Sequence, residues 1–153
     1  MKAIVYQKAA LPLTDPQSLY ETEIPKPQPT GHDLLVKIHA ISVNPVDTKV
    51  RNGGDPEAPR ILGWDASGTV EAVGDSVTLF APGDEVFYAG SLIRPGTYAE
   101  YHLVDERITG RKPASLNNAE AAALPLTSLT AWELLVDRLE VGDGQSKSLL
   151  IVG

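Results

Sequence analysis

The sequence predicts a mainly β fold with helices toward its C-terminal end, an α+β arrangement in which a sandwich or small barrel comes first. From Met1 to about Arg111 the chain consists of short β-prone runs separated by glycine and proline. After Arg111 it changes to alanine- and leucine-rich helical patterns. Its 153 residues, of which 42% are hydrophobic and 22% charged, are enough to bury the core of one ordinary globular domain.

The predicted strands follow one another at short intervals. Residues 33–43 form the clearest run, because Leu34, Val36 and Ile38 share one face while Lys37 and His39 lie on the other. That alternation is typical of a half-buried antiparallel strand. Glycine, proline and aspartate supply the turns between the other predicted strands, which cover residues 3–6, 19–24, 69–73, 85–88 and 98–104.

Two helices and a final strand are predicted after Arg111. Residues 115–124 form a capped, helix-forming segment, and residues 128–139 repeat apolar side chains at steps of three and four. Residues 148–153 form an apolar run that ends in glycine, which is typical of a strand buried on both faces of a parallel sheet. Nothing else in the sequence supplies such a sheet. We therefore expect a dinucleotide-binding unit to open here and to continue beyond Gly153.

Charge and composition argue against several classes of function. The net charge of −7 repels phosphate backbones and anionic lipid, so we expect neither nucleic acid nor membrane as a partner. The chain has no cysteine, which excludes disulfides, thiolate zinc ligands and cysteine nucleophiles. No signal peptide and no apolar stretch of about 20 residues is present, and we therefore predict a cytoplasmic protein.

Several motifs occur in a characteristic order along the chain. They are Ile41-Ser42-Val43-Asn44-Pro45-Val46-Asp47, Leu62-Gly63-Trp64-Asp65-Ala66-Ser67-Gly68, Gly83-Asp84-Glu85-Val86, Gly96-Thr97-Tyr98-Ala99-Glu100 and the segment 121–132. Together they resemble the medium-chain dehydrogenase/reductase superfamily, in its zinc-binding alcohol dehydrogenase and quinone oxidoreductase-like branch. The resemblance implies a GroES-like β-barrel over residues 1–125, which holds the substrate site. Residues 126–153 are then a linker helix and the first strand of an NAD(P)-binding Rossmann domain, whose remainder is absent from this sequence.

The positions that bind zinc in metal-containing members of that superfamily are altered. Asn44 stands at the cysteine position, Trp64 at the histidine position, and the third ligand falls near Leu126. A carboxamide, an indole and an aliphatic side chain cannot assemble a tetrahedral zinc site. We therefore expect no zinc. Without a Lewis acid the pKa of an alcohol is not lowered, which disfavours alcohol oxidation.

Two polar residues are predicted to form the catalytic site. By resemblance, the amide of Asn44 contacts a substrate carbonyl or the nicotinamide side of the cofactor. The alternative is that Asn44 only caps a short helix that begins at Pro45. Asp47 aligns with an aspartate that lies behind the zinc ligands of metal-containing relatives. Here we expect it to support Asn44 or to pair with a basic residue such as Arg51.

Pocket and cofactor contacts are predicted for six further residues. On the cofactor side the resemblance places Thr127 and Thr130 near the nicotinamide, although helix threonines also bond back to their own backbone. Gly153 is predicted to be the first glycine of a G-x-G-x-x-G turn. Three aromatic residues are candidates for the wall of the substrate pocket, and each of them also fits simple core packing: Trp64, Tyr88 and Tyr98.

The resemblance implies an NADPH-dependent oxidoreductase that reduces quinones or α,β-unsaturated carbonyls by direct hydride transfer. Its expected partners are a small carbonyl or quinone substrate and, at full length, a second copy in a homodimer. Two alternatives stay open: a zinc-dependent alcohol dehydrogenase with unusual ligands, and a free-standing GroES-like binding module without catalysis. Because hydride transfer needs both halves of such an enzyme face to face, residues 1–153 alone are expected to be inactive.

Overall fold

The computed structural model describes residues 1–142 and 148–151, and its framework is a pair of antiparallel sheets. The eight strands are β1 (Lys2–Tyr6), β2 (Tyr20–Glu23), β3 (Asp33–Ser42), β4 (Arg60–Ile61), β5 (Asp65–Val73), β6 (Glu85–Ala89), β7 (Tyr101–Asp105) and β8 (Thr109–Arg111). One sheet has the order β2-β1-β4, and the other has the order β7-β3-β5-β6-β8. The predicted mainly β fold with few helices is confirmed.

Three short α-helices lie at the ends of strands or beyond the sheets. They are α1 (Pro45–Asn52), α2 (Asn118–Ala122) and α3 (Pro125–Trp132), and a π-helical segment, Glu133–Arg138, continues α3. The helix predicted after Asn44 is therefore confirmed. The helix predicted at residues 128–139 begins earlier, at Pro125, because proline is well suited to a first turn. In the described part of the chain, no helix combines the length and apolar character that a membrane span requires.

Strand β3 organises the larger sheet. It pairs with β5 on one side and β7 on the other, and its predicted apolar face packs into the core, where Leu34 and Val36 are fully buried. The pairing with β5 shifts register at Leu35/Val36 and at Ile38/Ala40. Such bulges bend a strand and increase its twist. β3 ends at Ser42, two residues before Asn44, the N-cap of α1.

The barrel implied by the family resemblance is not closed among the described residues. The two sheets are connected through residues 98–100, where Ile4 N donates to Tyr98 O at 2.8 Å and Glu100 N donates to Lys2 O at 3.1 Å. On the other side of this segment, Ile38 N donates to Glu100 O at 2.9 Å. These single hydrogen bonds replace the continuous ladder that closure requires. The two sheets therefore meet along an irregular seam.

The strand predicted at the C-terminal end is not formed in its described residues, 148–151, and stays a prediction for the protein at full length. Residues 148–151 have no regular structure, and Leu150 and Ile151 are 86% and 81% exposed. A parallel strand of apolar residues forms only where neighbouring strands pair its backbone and helices cover both faces. The described residues place neither around this segment. Val152 and Gly153 lie outside the described residues.

A tyrosine–histidine pair fills part of the core of the larger sheet. The rings of Tyr88 on β6 and His102 on β7 stack with centroids 5.5 Å apart, and the Tyr88 hydroxyl lies 3.0 Å from His102 Nδ1. His102 Nε2 lies 3.0 Å from the carbonyl oxygen of Pro95. Because a carbonyl only accepts, Nε2 carries the proton and Nδ1 accepts from the tyrosine. Burial is the main cause that lowers the pKa of His102 to about 4.

This neutral histidine predicts a pH-dependent stability. The pKa of His102 is about 4 in the fold and 6.5 for an ordinary histidine, so the unfolded chain binds more protons between these values. The stabilisation that the neutral His102 gives to the folded state is complete above pH 6.5 and is lost as the pH falls toward 4. At ~1.4 kcal/mol for each pKa unit it amounts to about 3 kcal/mol. Urea unfolding of wild type and His102→Gln across this pH range measures how steeply the free energy of unfolding of each protein depends on pH.

The exposed histidine His39, on β3, provides the matched control. Between pH 6.5 and pH 4 we expect His39→Gln to lose stability as the wild type does, and His102→Gln to lose about 3 kcal/mol less. Parallel pH profiles for wild type and His102→Gln would show that His102 titrates normally in the fold.

Candidate functional site

The candidate site lies where β3 ends and α1 begins. Asn44 occupies the N-cap position with an extended backbone, φ −123° and ψ 158°, and Pro45 opens the helix behind it. The backbone N–H of Asn44 donates to the carboxylate of Asp47 at 2.6 Å, and Asp47 N donates to the Asn44 carbonyl at 2.9 Å. The first turn of α1 therefore fixes the backbone of Asn44 without using its side-chain amide as a donor.

The side-chain amide of Asn44 is directed at Asp65, the first residue of β5. Asn44 Nδ2 donates to Asp65 Oδ2 at 2.9 Å, and the other carboxylate oxygen accepts from the backbone N–H of Leu126 at 2.9 Å. Asp65 is fully buried, and burial is the largest of the effects that raise its pKa. The two hydrogen bonds oppose this rise, and the charge of Asp47 adds to it. One carboxylate thus connects β5, the Asn44 amide and the first turn of α3.

Asp47 supports Asn44 and does not form an ion pair with Arg51. The Arg51 guanidinium instead donates to Leu11 O and, at 2.9 Å, to the hydroxyl of Ser18. Asp47 is 3% exposed, and its second oxygen, Oδ1, has no hydrogen-bond partner in the described structure. Of the two expectations for Asp47, its contact with Asn44 is the one that the structure contains.

Tyr98 lies beside Asp47 with its hydroxyl buried. This hydroxyl also lacks a partner in hydrogen-bond geometry among the described residues. Burial is the first cause that raises the pKa of Tyr98 to about 12, and the negative charge of Asp47 is the second. Gly63 adopts φ 90° and leaves room for the Tyr98 ring, since a Cβ there would lie 2.3 Å from that ring. Tyr98 therefore combines an apolar contact surface with a buried hydroxyl next to the carboxylate of Asp47.

The other predicted pocket residues are packing residues in this structure. Trp64 is 2% exposed, clusters with Tyr6 and Leu62, and donates from its indole N–H to Ser91 O at 3.0 Å. Tyr88 lies in the core of the larger sheet against His102. The structure brings Trp64 and Tyr98 into one cluster, but it does not bring Tyr88 to an open surface.

The predicted cofactor residues lie on α3 or outside the described chain. Thr127 and Thr130 are exposed, but both hydroxyls donate to backbone carbonyls one turn earlier, at 2.9 Å to Leu124 and 2.9 Å to Leu126. Each hydroxyl oxygen can still accept a hydrogen bond. Leu126 in the same helix binds Asp65, so these threonines are attached to the Asn44 site through α3. Gly153 is among the residues that the structure does not describe.

The residues present do not fit a zinc ion. At the three altered positions the Asn44 amide is bonded to Asp65, the Trp64 indole to Ser91, and Leu126 offers only its backbone. Within residues 1–142 and 148–151 there is no group of three or more His, Cys, Asp or Glu side chains arranged to hold a metal. Tetrahedral zinc requires such N, S or O donors.

Sequence reasoning missed the role of Asp65. There Asp65 is only one member of a motif and has no role of its own, whereas the structure makes it the connection between Asn44 and α3. One signal was available. Asp65 is a charged residue followed in its strand by five small or apolar residues, 66–70, and such a carboxylate needs hydrogen-bond partners wherever it is buried.

Comparison with known proteins gives consistent matches. Residues 30–114 match the family model of the alcohol dehydrogenase GroES-like domain. The zinc-type alcohol dehydrogenase-like protein of Staphylococcus aureus strain COL is 50% identical over 131 residues, which is 83% of this chain and 39% of that protein.

Solved structures agree with this match. A protein of Rhizobium etli CFN 42 assigned as a zinc-dependent alcohol dehydrogenase is 63% identical, with a TM-score of 0.90 over 95% of this chain and 42% of that one. The quinone oxidoreductase of Escherichia coli, solved with NADPH, is 31% identical, with a TM-score of 0.78 over 88% of this chain and 40% of that one. The present chain spans less than half the length of these relatives.

Proposed function

Because this chain belongs to the alcohol dehydrogenase GroES-like domain family, within the medium-chain dehydrogenase/reductase superfamily, we propose that it is the substrate-facing part of an oxidoreductase. In this proposal the full-length protein uses NADPH to reduce quinones or α,β-unsaturated carbonyls by direct hydride transfer. The observation that carries the proposal is the Asn44 amide, which is held by Asp65 where the donors needed for zinc are absent from the described residues.

Asn44 is proposed to polarise the substrate carbonyl. Its amide has two N–H donors, of which one is bonded to Asp65 and the other has no partner among the described residues. A fixed donor of this kind stabilises the negative charge that develops on a carbonyl oxygen when hydride adds to the conjugated carbon. The nicotinamide, when bound, supplies that hydride, and solvent supplies the proton that completes the reduction. An activated double bond needs no Lewis acid for this step.

Tyr98 is proposed to line the substrate pocket, with the buried Trp64 packed behind it. They belong to the same packed cluster, against which Val46 and Val50 of α1 also lie. Flat, apolar surfaces of this kind suit quinones and enones, which are themselves planar and weakly polar. Tyr88 is left out of this role because it lies within the core of the larger sheet.

NADPH is proposed to bind mainly outside this chain. The described residues contribute its expected neighbours Asn44, Thr127 and Thr130, and the E. coli relative crystallised with NADPH supports the choice of cofactor. We keep residues 1–125 as the substrate domain and 126–153 as the link to a nucleotide-binding domain. A cytoplasmic location and a homodimer remain part of the same proposal.

A turnover screen tests the function. The protein at the full length that its gene encodes is incubated with NADPH or NADH and, separately, with quinones, enals and simple alcohols with oxidised cofactor. We expect cofactor oxidation with quinones or enals, and none by residues 1–153 alone, since the reacting groups must face each other.

Three results would each contradict the proposal in a different way. Activity confined to alcohols, with stoichiometric zinc in the purified protein, would indicate the zinc-dependent dehydrogenase that the names of two relatives suggest. No turnover with any acceptor would favour a binding module. Turnover by residues 1–153 alone would contradict the need for a second domain.

A further inference from the structure

Asp65 is a buried carboxylate whose placement calls for an explanation. It is fully buried at the start of β5, where its backbone lies between Ser42 of β3 and Ala89 of β6. None of the ion pairs among the described residues includes it. Burying a carboxylate without a cation costs free energy unless hydrogen bonds replace the lost water. Its partners therefore define what Asp65 does in the fold.

Those partners come from two separate elements of the fold, the start of α1 and the first turn of α3. Oδ2 accepts from the Asn44 side-chain amide, and Oδ1 accepts from the backbone N–H of Leu126, each at 2.9 Å. Asn44 lies 21 residues before Asp65 in the chain, and Leu126 lies 61 residues after it. The helix α3 therefore cannot move away from Asn44 without losing one of these bonds.

The same contacts fix which way the Asn44 amide faces. An ionised carboxylate can only accept, so the atom of Asn44 that faces Asp65 is the nitrogen and not the oxygen. Planarity of the amide then sets the direction of the second N–H. That N–H is the donor assigned to the substrate carbonyl, and its direction depends on Asp65.

We propose that Asp65 is a positioning residue, which holds the Asn44 amide in one orientation and at one distance from the first turn of α3. This inference rests on the proposed function, because the orientation matters for catalysis only if Asn44 contacts the substrate. Through α3 the same carboxylate also places Thr127 and Thr130 relative to Asn44. A donor misplaced by about 1 Å can lower turnover about 100-fold.

A double-mutant cycle in the full-length protein tests the inference. The variants are Asn44→Ala, Asp65→Asn and the two combined. Asp65→Asn keeps the shape of the side chain but presents an NH₂ group to one of its two donors. We expect kcat to fall about 100-fold in Asp65→Asn, with KM for NADPH little changed, and to fall no further in the double variant than in Asn44→Ala. If kcat of the double variant is lowered by the product of the two single-variant factors, the inference is overturned.

Glu106 provides the matched control. It is another buried carboxylate, and it accepts from the backbone N–H groups of Thr78 and Leu79 at 2.9 and 2.7 Å. We expect Glu106→Gln to lower the melting temperature while kcat stays unchanged. A loss of kcat in Glu106→Gln equal to that in Asp65→Asn would show that any buried carboxylate has this effect, which also overturns the inference.

Two readouts do not depend on turnover and separate this inference from the proposed function. In isotope-labelled protein, the Asn44 side-chain amide protons are expected to exchange with water at least tenfold faster in Asp65→Asn than in wild type or Glu106→Gln. The exchanged pair Asn44→Asp/Asp65→Asn restores a donor facing an acceptor, so it should recover most of the melting temperature that Asp65→Asn loses.

Unchanged amide exchange, or an exchanged pair no more stable than the sum of its single variants, would overturn the link. Both measurements can be made even if the wild type shows no turnover. A lack of turnover would contradict only the proposed function. If Asp65→Asn does not fold, the stability of the exchanged pair decides the question.

Discussion

Replacing Asn44 by alanine is expected to lower kcat for quinone or enal reduction about 100-fold in the full-length protein. Removing one fixed donor from a developing oxyanion typically has this effect. The fold should lose stability but still form, because the change removes one of the two hydrogen bonds of the buried Asp65 carboxylate while the bond from the Asn44 backbone N–H to Asp47 remains. Steady-state kinetics with NADPH, combined with thermal unfolding, measures both quantities.

The matched control is Asn117→Ala. Asn117 also caps a helix, α2, where its side chain accepts from the backbone N–H of Glu120 at 2.9 Å. Loss of this cap is expected to cost about 1 kcal/mol of stability and to leave kcat unchanged. If Asn44→Ala and Asn117→Ala have the same kcat, Asn44 is only a capping residue and the catalytic assignment is wrong.

Replacing Trp64 by alanine is expected to destabilise the fold by about 4 kcal/mol. Large-to-small changes of this size in a packed core remove the transfer free energy of the side chain and leave a cavity. Trp64 is 2% exposed and packs against Tyr6 and Leu62, so little collapse can fill the space. Urea unfolding monitored by circular dichroism measures the free energy of unfolding.

Trp64→Phe separates packing from hydrogen bonding. It keeps an aromatic ring but loses the indole N–H that donates to Ser91 O. We expect a loss of about 1 kcal/mol from the missing hydrogen bond, well below that of the alanine variant. Equal losses of unfolding free energy in the two variants would mean that the ring of Trp64 contributes little to packing.

The strands were predictable from the sequence because their signal is local. The alternation of Leu34 and Val36 predicted one buried face of β3, but Leu35 on the other face is also buried, at 2% exposure. The glycine- and proline-rich turns predicted where several strands end. The run at residues 148–152 shows the limit of this reasoning. Its composition is that of a buried parallel strand, but a strand forms only when another part of the protein pairs and covers it.

The candidate site was only partly predictable. Asn44 and Asp47 were identified from a resemblance in motif order, and their mutual contact spans three residues, which local helix-start chemistry explains. The pairing of Tyr88 with His102 was not predicted. Those residues lie on strands that do not pair with each other, so only packing in the core brings the two rings together.

The sequence by itself determined the mainly β class, the approximate positions of six strands and the lack of cysteine ligands, but it missed β4 and β8 and the first four residues of β5. Only the tertiary structure decided that Asp65 connects Asn44 to Leu126. The physical reason is that these contacts cross 21 and 61 residues of chain and depend on the register of β5 between β3 and β6. A shift of one residue would turn Asp65 to the opposite face of the sheet. Local sequence therefore specifies which residues lie at the site, whereas the register of the sheet determines which of them contact one another.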